Sequence, residues 1–541
     1  MRPSALLAAV LASLAAASSA GAVEISSRAP YLPPPEGMGV AAAQQLAAEG
    51  AQELVVAVER GATAAALLRS HRARSLGGGL WLVSPSAAGP ALEQLRRAGA
   101  LRYAHPNGRG ETAGDPSDPA PWWVPRIGAD RVAAPAAGGF PLTVVDAGID
   151  TTHPEFAGRP IGFVNANSAT PPNDFHGTMV ASVAAAPLNG VGMSGVYPAA
   201  NLRSADFGGL TCGEVLTSLD AAMDAGPSVI NMSFSFTPPI GCLALYERLI
   251  QAFGEGSLLV ASAGNSRQQG SPPGVPAVLP HVVTVGATNS ADGVASFSNR
   301  DIGLDLVAPG DGITLATPLF NNPTGYTVAS GTSFSAPMVS AAASWAMTQR
   351  PGLDVTQAFD LLRLGTRDLA PQGWDSDTGF GMLDLPTLLT RPVPSVDPQE
   401  PNDDVNQVKA GGLFRTATPP LTRPGRGRAV IGARVDWTED PVDVYRVFVP
   451  GKRTVRLAVS TSADVNLELF RPSARTVYYQ NRRAALRGPL IGGSYKRGRA
   501  TERFAVVNRG RRGLYAYVCV FKAEEATLDA GYVLTVTTRR K

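Results

Sequence analysis

Gly331-Thr332-Ser333-Phe334-Ser335-Ala336-Pro337 decides how this 541-residue chain is read. A serine stands two residues after a glycine, at the head of a long apolar helical pattern over 333–349. Three earlier segments complete it: Val145-Asp146-Ala147-Gly148-Ile149-Asp150, His176-Gly177-Thr178 and Ala263-Gly264-Asn265. A serine hydroxyl is a poor nucleophile near neutral pH. It needs a base within hydrogen-bond reach, and the base needs a third group to fix its tautomer. Ser333 fits the nucleophile, His176 the base and Asp146 the group that orients His176. Asn265 and the Ser333 backbone N–H fit the oxyanion donors, because the first N–H groups of a helix lack internal partners and its dipole favours negative charge. Ser335 points elsewhere on the helix and is read as structural.

The chain has five histidines. His71 and His105 fall in an N-terminal segment, and His281 opens a predicted buried strand. His153 is the local competitor of His176. Around these residues, 119–390 alternates apolar strands (142–145, 228–232, 257–262, 281–285) with helices (176–186, 215–225, 243–254, 333–349, 355–362). Short, nearly continuous apolar strands between helices predict a doubly wound α/β fold with a mainly parallel sheet. Asp146 and Asn265 fall just after predicted strands, where such folds place their sites.

Two other segments flank this domain. Residues 23–118 carry a small β-α-β-α-β pattern (53–59, 62–72, 79–83, 91–98, 101–104) and predict an α+β unit ending in a Pro/Gly/Asp-rich stretch. A Pro- and acid-rich linker is placed at 391–404. Beyond it, 405–541 loses the helical period, and strands at 442–449, 455–460, 465–470, 504–507, 514–521 and 532–538 predict an all-β sandwich.

Composition sets limits. Lys and Arg number 47 against 44 Asp and Glu, a net charge of +3. That balance gives no reason to invoke nucleic acid. Arg-rich stretches at 423–434, 482–487 and 509–512 read as solvated strand edges, with an anionic partner as the alternative. At the N-terminus, Arg2, the apolar run 5–17 and Ala20-Gly21-Ala22 predict a cleaved signal peptide over 1–22 and a secreted protein, extracellular or periplasmic. No later run is long enough for a membrane anchor. Cys212, Cys242 and Cys519 allow one disulfide and leave one thiol, and the strand-like surroundings of Cys519 suit a buried, inert thiol.

With the four segments in this order, the chain resembles the subtilase family of serine endopeptidases. Asp, His, Ser is the chain order of subtilisin, and no Gly-x-Ser-x-Gly elbow surrounds Ser333. The likeness covers about 122–385 and includes Asn231-Met232-Ser233, Val275-Pro276-Ala277, Ala308-Pro309-Gly310 and Gly379-Phe380-Gly381. The resemblance implies that 23–118 is an inhibitory propeptide cut somewhere in 105–119. It implies that the C-terminal unit, opened by Glu400-Pro401-Asn402-Asp403 and carrying Asp443 and Tyr445, is like a bacterial prepeptidase C-terminal domain. Polypeptide substrates would pair with Ser233, Phe234 and Ser235 on one side and Ser262, Ala263 and Gly264 on the other. The family usually has Gly where Ser235 stands, so Ser235 and Phe236 alter that wall. Met179 and Ser182 also depart from the family and are read as packing changes. The resemblance further implies a Cys212–Cys242 disulfide, no cofactor for the chemistry, a monomer, and a structural calcium site at Glu155 and Asn189, where Glu replaces the usual Asp. The rival reading is an exported binding protein with an inert protease fold, against which the intact set of four residues argues.

Overall fold

The computed structural model describes residues 53–59, 62–107, 115–116, 122–167, 175–301, 303–369, 371–479, 482–523 and 529–540. The predicted signal peptide and most of the predicted maturation segment lie outside these residues. The described residues form two compact units, one within 35–395 and one within 396–541. No helix among them is long and apolar enough to cross a membrane.

The first unit is built on a sheet of nine strands among the described residues. Gly138–Asp146 lies inside it, parallel to Ala200–Asp206 on one side and Val229–Met232 on the other. The parallel ladder continues through Leu258–Ser262, Val282–Thr288, Leu306–Pro309 and Met382–Leu383. Thr366–Arg367 adds an antiparallel edge. The opposite edge is Gly162–Phe163. Strands covered on both faces need apolar side chains throughout, and all five residues of Leu258–Ser262 are buried. Helix Thr332–Gln349 is buried from Thr332 to Met347, so it needs small or apolar residues all round. The sheet is therefore α/β and mainly parallel, as the sequence pattern predicts.

Local chemistry sets the helix starts. Thr211 and Glu214 form a reciprocal capping box, so the helix runs Cys212–Asp224 and begins three residues before the apolar pattern suggests. The same unit carries an N-terminal antiparallel sheet in the order Arg74–Gly77, Leu80–Val83, Leu54–Val58, Leu101–Pro106. Helices Ala62–Ser70 and Pro85–Arg97 accompany it. Pro85 stands at the first turn, where its missing N–H costs nothing.

The second unit is all-β, with two antiparallel four-stranded sheets among its described residues. One orders Arg428–Asp436, Asp529–Arg540, Arg453–Thr461, Glu502–Val507, and the other Val442–Val449, Leu514–Lys522, Val465–Phe470, Leu490–Ser494. Arg428–Asp436 is an edge strand, which accounts for its Arg content and its alternating burial. The acid-rich stretch before the strands belongs to this unit: Val444 N donates to Asn402 Oδ1 at 2.6 Å, and Val477 N donates to Asp404 Oδ1 at 2.7 Å.

Carboxylate oxygens of Glu400, Asp440 and Asp443 lie within 4.8 Å of one another. Burial, then neighbouring carboxylates, hold Glu400 and Asp440 well above the usual carboxylate range. Burial raises Asp443 to about 6 and Asp404 to about 7. Acids whose folded pKa is raised bind more protons when folded. The stability they contribute is complete below their unfolded pKa near 4 and is lost as pH rises through the folded values. In metal-free buffer the melting midpoint of the 396–541 unit is expected to fall, on the order of 5 °C, between pH 4.5 and 7.5. A midpoint that rises over that interval contradicts this account.

Candidate active site

The site forms at the carboxyl ends of the parallel strands. Asp146 is the last residue of its strand and His176 the first of helix His176–Ala185. His176 Nδ1 lies 2.8 Å from Asp146 Oδ1 and 3.0 Å from Oδ2. Asp146 is 1% exposed, and its Oδ1 also accepts the Ala147 N–H at 2.8 Å. Gly177 permits this approach: a Cβ there would lie 2.1 Å from Gly148 O. Asp146 as a carboxylate only accepts, so the proton on His176 sits at Nδ1 and Nε2 is left as the acceptor. Nε2 is buried and has no hydrogen-bond partner among the described residues.

Ser333 occupies the first turn of Thr332–Gln349 and is 2% exposed. The Phe334 ring centroid lies 6.1 Å from that of His176, which brings the helix start to the histidine. The Ser333 hydroxyl donates to Ser233 O at 3.3 Å, so it must turn from that carbonyl to reach Nε2. Ser233 Oγ donates back to Ser333 O at 2.9 Å. Asn231 Nδ2 donates to Ser233 Oγ at 2.9 Å, and Ser340 Oγ to Asn231 Oδ1 at 3.0 Å. This buried chain ties the serine-bearing helix to the neighbouring strand.

Asn265 is fixed by the residue before Ser333. Its Oδ1 accepts both the Thr332 N–H and hydroxyl at 2.9 Å. With that oxygen committed, the Nδ2 amide is what Asn265 can offer a ligand. Gly264 N donates to Thr332 Oγ1 at 3.1 Å, locking the same turn. Asn299 holds it from behind, donating to Ala263 O at 3.0 Å and accepting Ser266 N at 2.7 Å. Thr332, Asn299 and Ser340 were not singled out from sequence. Thr332 stands within the quoted motif, but nothing local to 299 or 340 signals a neighbour so distant in the chain.

Other sequence-picked residues sort clearly. Ser233 and Ser262 are buried, while Ser235, Ala263 and Gly264 are half-buried. The Phe234 side chain turns away, packing edge-on against Phe207 and Phe236. His153 is buried and bonded through Nε2 to Gly325 O at 2.7 Å, away from Asp146. Ser335 Oγ donates to Ala308 O and Pro309 O, both at 3.1 Å, in keeping with a structural role. Cys212 and Cys242 form the disulfide, and Cys519 is buried in its strand.

The N-terminal sheet reaches the starts of two helices. Asn107 Oδ1 accepts Gly213 N at 2.7 Å, in the first turn of Cys212–Asp224. His105 Nε2 accepts Ala244 N at 3.0 Å, at the start of Ala244–Gly254. Arg102 pairs with Glu247, whose other oxygen accepts the Tyr103 hydroxyl at 3.2 Å. Burial pushes the Tyr103 hydroxyl up to about 12.

A parallel sheet that brings a buried Asp–His pair to a serine at a helix start defines a serine-type hydrolase. Residues 138–381 match the subtilase family profile. Subtilisin DY of Bacillus licheniformis is 33% identical over 253 residues, covering 45% of this chain and 89% of that protein. Subtilisin E of Bacillus subtilis (strain 168) is 33% identical over 229 residues, covering 41% of this chain and 58% of that protein. Among solved structures, fervidolysin from Fervidobacterium pennivorans, a keratinolytic enzyme related to subtilisin, shares the fold with a TM-score of 0.56 at 18% identity. That match covers 88% of this chain and 91% of fervidolysin. The chain belongs to the subtilase family and is a serine-type endopeptidase.

Proposed function

We propose that this chain is a secreted endopeptidase made as a zymogen, hydrolysing polypeptides through an acyl-enzyme on Ser333. His176 Nε2 takes the hydroxyl proton as Ser333 attacks and returns it to the leaving amine. Asp146 fixes the tautomer and stabilises the imidazolium. The Asn265 amide and the Ser333 N–H receive the oxyanion. Water then attacks the acyl-enzyme by the same proton route. The observation that carries this reading is the doubly bonded Asp146–His176 pair, with a partnerless Nε2 beside the serine-bearing helix.

The N-terminal unit suits an inhibitory propeptide, because Arg102, Tyr103, His105 and Asn107 engage two helix starts of the catalytic sheet. Maturation would cut within 105–119. The C-terminal unit, which takes in the acid-rich stretch that the sequence pattern places in the 391–404 linker, suits an accessory module. No cofactor enters the chemistry.

A calcium at Glu155 and Asn189 would find part of their oxygen already in use. Glu155 Oε1 accepts the Tyr326 hydroxyl at 2.8 Å and Met193 N at 2.7 Å, leaving Oε2 as the one buried oxygen without a partner. Asn189 Oδ1 accepts Val191 N at 2.9 Å and so closes its own turn. Calcium takes six to eight oxygen ligands, backbone carbonyls among them, so Glu155 Oε2 would need further oxygens from the loop 187–193 to hold one. The Tyr326–Glu155 bond anchors the Glu155 side chain, and burial with the Glu155 charge holds the Tyr326 hydroxyl far above its ordinary range.

The purified, matured chain is expected to cut casein at internal bonds, to be silenced by a sulfonyl fluoride and to be untouched by thiol reagents. Hydrolysis that persists after serine modification contradicts the proposal.

A further inference from the structure

Val229–Met232 and Leu258–Ser262 are adjacent parallel strands, with Met232 beside Ala261. The chain continues from them as 233–237 and 263–265 at the carboxyl end of the sheet, the end that carries Asp146. The first of these segments starts against the nucleophile, since Ser233 and Ser333 are bonded in both directions. Burial alternates along it. Phe234 and Phe236 are buried, Ser235 is half-buried and Thr237 exposed. Side chains in extended chain alternate faces, so Ser235 and Thr237 share the face of Ser233, the residue bonded to the nucleophile, opposite Phe234 and Phe236.

These two hydroxyls lie 3.2 Å apart, hydrogen-bonded to each other. Both sit over the buried Gly274: a Cβ built there would meet Ser235 Oγ at 2.1 Å and Thr237 Oγ1 at 2.6 Å. The segment cannot swing away. Phe236 N donates to Val275 O at 2.8 Å and Val275 N to Phe236 O at 3.1 Å, and the Phe207, Phe234 and Phe236 rings back it. A glycine at 235 would leave the space above Gly274 open. Ser235 fills it with a polar group tied to a second one.

We infer that the Ser235–Thr237 hydroxyl pair over Gly274 sets the enzyme's primary specificity. It favours substrates with a small or hydrogen-bonding side chain on the residue whose carbonyl is attacked. A large apolar side chain meets the Ser235 hydroxyl and strips it of water without replacing its hydrogen bonds. A side chain of Ala, Ser or Asn size fits in front of the pair, and Ser or Asn can bond to it. This inference rests on the endopeptidase reading above.

The test uses the matured protein and a peptide series differing only at that residue: Ala, Ser, Asn, Val, Leu and Phe. Wild type is expected to cleave after Ala, Ser or Asn with kcat/KM at least about 10-fold above that for Leu or Phe. Ser235→Gly should raise the Phe-to-Ala ratio by about 10-fold or more. Thr237→Val keeps the volume and removes one hydroxyl, so it should lower the preference for Asn over Val severalfold while leaving Phe disfavoured. A wild type that cleaves best after Leu or Phe overturns the inference, as do unchanged ratios in both variants. In either case robust cleavage leaves the endopeptidase reading standing. A matured wild type that cleaves none of the peptides and takes no fluorophosphonate label overturns both.

Discussion

Ser333→Ala is expected to lower kcat on the order of a millionfold, the size of loss seen when subtilisin, a relative, is stripped of its nucleophile. The reason is the division of labour around this residue. Asn265 and the 333 backbone N–H can still polarise a bound carbonyl. Without the hydroxyl, however, His176 has only a water molecule to activate, and that water is not held in place. The fold should barely notice. Ser333 Oγ makes one 3.3 Å hydrogen bond, to Ser233 O, and loss of such a bond changes stability by about 1 kcal/mol or less. Ser233 Oγ still reaches the backbone carbonyl at 333, which no substitution removes. A large loss of activity with an unchanged melting midpoint therefore separates a chemical role from a structural one. If the propeptide is removed in cis, the same variant should also accumulate as the unprocessed chain.

Asp146→Asn carries the second largest expected effect, a fall in kcat of about ten-thousandfold. Both carboxylate oxygens lie within 3.0 Å of His176 Nδ1, so only the tautomer with its proton on Nδ1 is compatible with the pair. An amide at 146 can present its NH2 group to Nδ1 instead. That reverses the tautomer and puts the proton on Nε2, where the base must be empty. Part of the loss is expected to return at high pH, where hydroxide does the work of the base. A variant that keeps more than about a tenth of wild-type kcat at neutral pH would remove Asp146 from the mechanism.

Much of this site was legible in the sequence because its parts are local. Asp146, His176 and Ser333 stand at the end or start of an element and Asn265 three residues past a strand, where strand ends and helix starts leave backbone groups unpaired. Each carries its own short motif. The strands most easily read were those buried on both faces. Ala200–Asp206 was missed for the converse reason: Asn201 is exposed and Arg203 half-buried, so no apolar run marks it. Helix Pro85–Arg97 was read as starting six residues late because Pro85 and Pro90 look like breaks, although Pro85 falls where a helix tolerates it. The Cys212–Cys242 pairing came from resemblance, since three cysteines alone leave the choice open. What sequence could not supply were the cross-chain contacts: Thr332 on Asn265, Asn299 on Ala263, and the Asn231–Ser233–Ser340 chain. Hydroxyls and amides of this kind look like ordinary surface residues until distant segments bring them together. Tyr326 on Glu155, 171 residues apart, is another such contact.

The central claim is that Ser333 is the nucleophile, activated by His176. Its most direct measurement is intact-mass and peptide mapping of the matured protein after exposure to a fluorophosphonate. The account predicts one adduct per chain, carried by the peptide that contains Ser333, and no adduct on Ser333→Ala. Labelling that persists in Ser333→Ala, or that is absent from matured wild type, would contradict it and favour a binding protein with an inert protease fold.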